Sequence, residues 1–490
     1  MFVRIGAAVA VSAIATAARA ETSAPEEAAP EQVLSVGAPG FTWTPKYAAD
    51  RYRLPPPYTD PAFVKGPVPQ PDKAYFIALA EVVGIDLAIW GYDYLTGAPF
   101  AQISIDSISD NLSKGWIVDT DDFWANGLLH PIHGNLTFNA ARTLGLNFYE
   151  SFAYSFLGSF IWEQFLEIQP PSMNDQVNTP FGGTILGESL FRISRLILDS
   201  GGYKPSGWRQ FFAFLVNPVG GLNRLAFGDK YRGELLLPES WIGEFNFGAV
   251  VLGSDKVGGS GETQPSIGPW ASFGAHVVYN VPGTPGISLK KPFDHFELSG
   301  SISLTNQATA TMMIRGLLLG DPIGEGGDFG GLWGLFTSYD FIAPEIFRVQ
   351  GFGLGPGVSL MKRWDWFELH GTTLVEFLPW SGGGSTQPLG VRDYHYGPGG
   401  DIELLFRLHF SDRVTLRLEG REYWITGFYA SGQSENITYA KADTTVRIYD
   451  VHGASVSFDF THRQAHYPFE PQIYDRAAVL SVYYTFLQGW

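Results

Sequence analysis

The sequence predicts an α+β membrane protein: an N-terminal α-helical domain followed by an antiparallel transmembrane β-barrel of roughly 10–12 strands. Three observations predict it. The first residues read as an export signal, the stretch from about Lys73 to Asp229 carries apolar residues at helical spacing, and after Trp241 the period changes to two. The period-two runs are about ten residues long with glycine- and proline-rich loops between them, as lipid-crossing strands require.

Composition bounds the class. The chain has 490 residues, 45% hydrophobic and 15% aromatic, which is ample for a sizeable core. No uninterrupted apolar run of about 20 residues follows the N-terminus, so the sequence indicates no transmembrane helix. A net charge of −17 argues against nucleic acid as a partner and against electrostatic docking on an anionic membrane surface. The chain has no cysteine, which excludes a lipoprotein anchor, structural disulfides and thiol chemistry.

Residues 1–20 form the expected signal peptide: Arg4 supplies the charge, Ile5 to Ala17 the apolar run, and Ala18-Arg19-Ala20 a small-x-small cleavage site. Residues 21–72 are proline-rich, with Pro55-Pro56-Pro57 at the centre and no helical or alternating period, and read as an extended tether. Trp43, Tyr47 and Tyr52 could pin parts of it to a folded surface.

Residues 73–230 are expected to be helical. Lys73 to Tyr94 is apolar but broken by Glu81, Asp86 and Asp93, which suggests a buried or interfacial helix rather than a spanning one. Asn147 to Gln169 is the strongest helix, with a small-residue face of Ser151, Ser155, Gly158 and Ser159 and a stop at Pro170-Pro171. Ser172 and Asp175 resemble a capping pattern for a short turn that Pro180 breaks. Gly182 to Asp199 carries Ile185, Leu186, Leu190, Ile193 and Ile197 at helical spacing, and Gly201-Gly202 closes it. A last short helix runs from Trp208 to Val216 and ends at Asn217-Pro218.

Residues 231–490 are expected to form the barrel. Ile402, Leu404, Phe406, Leu408 and Phe410 alternate with Asp401, Glu403, Arg407 and His409. Val414, Leu416 and Leu418 alternate in the same way with Thr415, Arg417, Glu419 and Arg421, and Phe296, Leu298, Ile302 and Leu304 with His295, Glu297 and Ser299. The closing residues VLSVYYTFLQGW, ending on Trp490, resemble the C-terminal signal read by the barrel-assembly machinery, an expected partner beside outer-membrane lipid. Glu368, His370, Glu376, Glu403, Arg407, Arg417, Glu419 and Arg421 are expected to face inward with both signs of charge, pairing across a narrow or closed lumen.

One group of ionisable residues stands out within the apolar helical run: His133, Glu163, Glu167, Asp175 and Glu188. Glu163 and Glu167 lie four apart, so one helix would present both carboxylates on one face. Converged, the five could hold a divalent metal or run acid–base chemistry. The structural alternative is that they cap helices or pair with Arg142, Arg192 or Arg195. No cofactor follows from the sequence, and Gly182, Gly183 and Gly187 lack the lysine of a phosphate-binding loop and read as helix-packing positions.

HPIHG, NAAR, WEQFLE, PPSMNDQVNTPFGG with a following GE, and NPVGGLNRL occur in order between about Phe123 and Gly228. This run resembles the bacterial envelope family named domain of unknown function 3943. The resemblance implies an exported, membrane-associated protein of Gram-negative bacteria followed by barrel strands, and implies no activity. The order His, Glu-x-x-x-Glu, Asp and then a glycine-rich helix is more loosely similar to VanZ-like small membrane domains. His409-Phe410-Ser411 has the H-x-S spacing of lipid A deacylases, although Ser411-Asp412 falls where the alternation breaks and reads as a hairpin turn.

The expected protein is thus an outer-membrane barrel with a periplasmic-side helical domain that covers or lies against its inner mouth, in a structural, lipid-handling or transport role. The alternative is a membrane-associated hydrolase or metal-dependent enzyme using the His/Glu/Asp group on a lipid or cell-wall substrate.

Overall fold

The computed structural model describes residues 72–118, 121–256, 264–304, 308–344, 347–385, 394–428, 433–467 and 472–488. The export signal, the tether up to residue 71 and Trp490 lie outside the described residues.

Seven α-helices form the N-terminal domain among these residues: α1 (Tyr75–Leu95), α2 (Ile105–Ser113), α3 (His130–Arg142), α4 (Phe148–Ile161), α5 (Met173–Asp199), α6 (Gly207–Val216) and α7 (Pro218–Phe227). Two π-helical turns, Ala125–Leu129 and Trp162–Leu166, lead into α3 and extend α4. Asn147 starts α4 through a capping box with Glu150, satisfying two backbone donors that a helix start leaves open. The small-residue face of α4 is buried as expected. The Ser155 hydroxyl donates to the Gly134 carbonyl at 2.9 Å, and a side chain on Gly158 would strike Thr137.

Pro180 does not break the chain into two helices. Ser172 caps a single α5 that runs through it to Asp199. A proline removes one helical donor, and here the rest of the helix is held from both sides. Gly134 of α3 and Gly183 of α5 meet backbone to backbone: a Cβ on Gly134 would lie 1.8 Å from the Thr179 carbonyl oxygen. Helical structure also continues past Val216, because Asn217 caps α7 by accepting from the Gly220 N–H, with Pro218 at the first helical position. Periodicity singles out neither α2 nor α3. In α3 the reason is visible: polar Asn135, Thr137 and Asn139 are buried alongside Phe138 and Ala140, leaving no apolar stripe to read.

Twelve strands follow: β1 (Trp241–Lys256), β2 (Gln264–Tyr279), β3 (Phe296–Leu304), β4 (Ala308–Ile323), β5 (Phe329–Ala343), β6 (Phe347–Arg363), β7 (Phe367–Ser385), β8 (Tyr394–Phe410), β9 (Val414–Thr426), β10 (Ser434–Tyr449), β11 (His452–His466) and β12 (Ile473–Gln488). Each pairs antiparallel with its sequence neighbours, and β1 pairs with β12 to close the barrel. The exposure pattern is inverted relative to a water-soluble sandwich. Leu404 and Phe406 are 47% and 40% exposed, whereas Glu403 and Arg407 between and beside them are 2% and 3% exposed. Apolar residues point out and charges point in, the arrangement that lipid demands.

Charged pairs cross the lumen. Arg315 on β4 pairs with Asp340 on β5 and with Glu403 on β8, and Arg421 on β9 reaches Asp340, Glu403 and Glu419. Nearer the end where β1 begins, Arg407 contacts His276 and Glu297 across from it. The long β2–β3 loop folds into this mouth, where Ile287 and Leu289 pack on inward-facing Leu317, Leu332, Phe336 and Leu374. Charges of both signs thus pair across the tube, as the alternation predicts.

Of the two expected placements, covering this mouth or lying against it, the structure does not give the first, while Arg192 at the end of α5 touches the β2–β3 loop there. The loop fills the mouth, and the helices pack on the outer wall. On β5 the side chain of Asp340 enters the lumen, so Tyr339 and Phe341, its neighbours, point outward. Those two meet the helical domain: the Tyr339 hydroxyl donates to the Gly127 carbonyl at 2.8 Å, and Phe123 stacks on Phe341. Phe181 of α5 stacks on outward Phe352 of β6 with ring centroids 4.3 Å apart. At the far end of α5, Arg192 reaches Asp294 and the Pro292 carbonyl beside β3. α5 thus lies across the strands along a row of outward aromatics. The reason is composition: Tyr279, Phe296, Ile314, Tyr339 and Phe341 join Ile185, Leu186 and Ile193 in one core, and the glycines at 127 and 182 admit the rings.

Candidate functional site

The five selected residues of the helical domain are mostly buried, and the structure distributes them over separate contacts. His133, on the second turn of α3, places Nε2 2.7 Å from Asp86 Oδ1 on α1 and stands edge-on to Trp162. Asp86 is completely buried, so this pair ties α1 to α3 within the domain. The sequence marks Asp86 only as a break in an apolar run. A carboxylate in such a run needs a partner, and that requirement was the available signal.

Glu163 sits on the π turn after α4. Its Oε2 accepts the Ser172 N–H at 2.7 Å, which joins that turn to the start of α5. Asp175 lies one turn into α5, with Oδ1 3.3 Å from His130 Nε2 and accepting from Asn174 Nδ2 at 3.1 Å. Asn174 in turn donates to Asn126 at 3.0 Å. Glu163, Ser172, Asp175, His130 and the two asparagines therefore form one buried polar node that fixes both π turns. Glu167 ends the second π turn with extended backbone, and its carbonyl accepts from Asn111 of α2 at 2.9 Å.

Glu188 is elsewhere. It lies thirteen residues beyond Asp175 on the same helix, or about 20 Å along the axis at 1.5 Å per residue. Both its oxygens are taken by guanidinium groups: Oε2 by Arg142 Nε at 2.7 Å, Oε1 by Arg142 Nη2 at 3.1 Å and by Arg192 Nε at 2.9 Å. The structure thus brings Glu163 and Asp175 to one node and leaves His133 and Glu188 with other partners. Among the described residues no group of three or more His, Asp or Glu side chains is placed to hold a metal ion. At the domain's first described residues, a hydrogen bond to Glu150 raises the Lys73 ammonium pKa above its usual value.

The H-x-S sequence resolves into its structural reading. His409 faces the lumen with Nδ1 2.7 Å from the Thr415 hydroxyl, while Ser411 occupies the β8–β9 hairpin turn with φ 59°. Gly182, Gly183 and Gly187 serve packing: a side chain at each would strike Tyr339, Gly134 and Phe138 respectively.

Much of the exposed surface of α1, α4, α6 and α7 is apolar. On α1, Phe76 and Leu95 are 89% and 85% exposed, and on α7 Leu225 is 80% exposed. Phe156 and Phe160 of α4 and Trp208 and Phe211 of α6 are exposed as well. By length and composition α1 is able to cross a membrane, although its three acidic residues argue against that in the sequence. The structure turns two of them inward: Asp86 to His133, and Glu81 to Asn223 of α7 at 2.9 Å.

Residues 115–219 match the sequence profile of a family described as domain of unknown function (DUF3943). The chain is similar to solved outer-membrane structures over about half of its length. The CymD monoaromatic hydrocarbon channel is 7% identical, with a TM-score of 0.22, over 54% of this chain and 92% of that one. The toluene transporter TodX of Pseudomonas putida is 8% identical, with a TM-score of 0.23, over 52% and 91%. The outer membrane protease OmpT from Escherichia coli is 6% identical, with a TM-score of 0.21, over 51% and 97%. Likeness at this level assigns neither substrate nor activity, and the barrel stands on its own closed ladder of twelve strands. A search among curated proteins finds no match.

Proposed function

We propose that this outer-membrane barrel with its DUF3943 domain is a closed anchor that holds the helical domain within the bilayer, where the domain handles envelope lipid. The observation that carries the reading is the distribution of exposed residues on that domain. A water-facing surface of a helical domain is rich in charge; here the outer surfaces of α1 and α4 are apolar between charged ends. Lys73 and Glu150 stand at one end, paired at 2.8 Å, and Asp106, Asp110 and Lys114 at the other. The 21 residues of α1 span about 31 Å, close to the roughly 30 Å of a hydrocarbon core. Close approach through small residues, as at Gly134, Gly158 and Gly183, is the packing mode helices use where lipid removes the hydrophobic drive.

The charged network in the lumen supports an anchor over a pore. A charged network that bridges β4, β5, β8 and β9 leaves little room for a solute to pass.

The absence of cysteine makes the test direct. Leu87→Cys on α1 and Ser109→Cys on α2, each in reconstituted liposomes, are reacted with a water-soluble maleimide. We expect Leu87→Cys to react at least about tenfold more slowly than Ser109→Cys, and both to react alike after denaturation. Equal rates in liposomes would place the helical domain in water and sink this reading in favour of a periplasmic module.

A further inference from the structure

We propose that the cavity beside the C-terminal half of α5 binds the phosphate-bearing head group of an anionic membrane lipid. It deepens the lipid-handling reading, on which the choice of a lipid over a free anion rests.

The cavity has a volume of about 580 Å³ and lies among α3, α4, α5, α6, α7 and the segment that leads into β1. Five arginines line it, Arg142, Arg192, Arg195, Arg224 and Arg232, with two lysines, Lys73 and Lys291. Only two acidic residues, Asp229 and Glu234, share the lining. The wall therefore carries seven cations against two anions, a balance of +5, in a chain whose net charge is −17.

The carboxylates that balance four of these arginines stand behind them, and Arg224 pairs with Asp229 of the wall at 2.7 Å. Glu188 and Asp199 are completely buried and do not line the cavity. Glu188 holds Arg142 and Arg192, and Asp199 holds Arg195 at 2.8 Å and Arg232 at 2.6 Å. This fixes the guanidinium groups by their inner edges. Further donors are tied to carbonyls, as Arg195 is to those of Arg232 and Glu234. Arg232 Nη1 makes no hydrogen bond and stands 3.6 Å from Asp229 Oδ1 at the cavity wall. A pre-oriented fork of guanidinium donors matches phosphate oxygens.

The rest of the lining selects an amphiphile over a free ion. Phe148, Tyr149, Phe191, Leu198 and Phe214 share the wall with the cations. On the adjoining surface of α7, Leu222 and Leu225 are exposed. The volume exceeds what a phosphate ion alone would fill, leaving room for the glycerol or sugar that carries it. Phosphate on the cationic wall with acyl chains along α7 satisfies both halves of the site.

The test uses the full chain in detergent, with phosphatidylglycerol and phosphatidylcholine as probes and retained lipid read by native mass spectrometry. The variant is Arg224→Gln with Lys291→Gln, which leaves Glu188, Asp199 and their arginines intact. A conservative pair, Arg224→Lys with Lys291→Arg, controls for folding together with the helical circular dichroism signal. We expect the native chain to retain phosphatidylglycerol at least tenfold better than phosphatidylcholine, the glutamine pair to lose most of that preference, and the conservative pair to keep it. No preference between the lipids, or a preference unchanged in the glutamine pair, would overturn the proposal. Displacement of the lipid by millimolar inorganic phosphate would reassign the site to a free anion and overturn it as well. Because retention is read in detergent, it stands or falls separately from the maleimide result.

Discussion

Replacing Gly134 by alanine tests the close crossing of α3 and α5 on which the helical domain is built. An added Cβ would lie 1.8 Å from the Thr179 carbonyl oxygen and 3.1 Å from Gly183 Cα. Ordinary contact needs roughly 3.2 Å or more, so the helices must part by about 1.4 Å, and backbone offers no rotamer by which to yield. The shift would also stretch the Asn139 bond to the Gly187 carbonyl, now 3.2 Å, one turn further along. Overpacking costs about 1–3 kcal/mol, and a backbone collision belongs at the upper end. For a domain of this size each kcal/mol moves the midpoint by about 2–4 °C, so a fall of roughly 6–12 °C is expected. The assay is loss of ellipticity at 222 nm on heating in detergent, which follows the helices more than the strands. Gly84→Ala is the internal control, because nothing lies within 4 Å of its added Cβ on α1. It should be neutral or stabilising by up to about 1 kcal/mol. Equal midpoints for the two variants would show that α3 and α5 are not in contact at these glycines.

Three further outcomes follow from the same geometry. Ser172→Ala removes the cap that accepts the Asp175 N–H and should lower helical-domain stability by about 0.5–2 kcal/mol in the same melt, with no change in the barrel's migration on unheated gels. Glu188→Gln leaves Arg142 and Arg192 sharing a neutral amide and should cost about 3–5 kcal/mol; an unchanged melt would mean the two guanidinium groups are solvated rather than buried. Asp340→Ala with Arg421→Ala removes the centre of the lumen network. Planar-bilayer recordings should show no steady conductance for the native chain and an increase for the double variant. Steady native conductance would refute a closed lumen.

Much of the barrel is legible in the sequence because a strand's period of two is written residue by residue. Ile402, Leu404 and Phe406 against Glu403 and Arg407 give the direction of each side chain as well as the element. The small face of α4 is equally plain, since Ser151, Ser155, Gly158 and Ser159 have no reason to share one side unless another helix comes close. The polar group of the helical domain was visible only as a set of residue types. Spacing shows that Glu163 and Glu167 share a helix, but a π turn intervenes and sends their main-chain and side-chain bonds to different neighbours. Asp86, the partner of His133, lies 47 residues away, beyond the reach of any local pattern.

By itself, then, the sequence determined the two-part organisation, the inward charges and the outward apolar belt, because each follows from local period and from the cost of exposing a polar backbone to lipid. Only the tertiary structure decided where the helices rest. The outward aromatics Tyr339, Phe341 and Phe352 read as lipid-facing residues, and a lipid tail and an apolar helix are equivalent neighbours to them in the alternation. What distinguishes the two is shape: Gly127 and Gly182 leave hollows that admit the Phe341 and Tyr339 rings, and such fit between segments more than 150 residues apart exists only once the chain is folded.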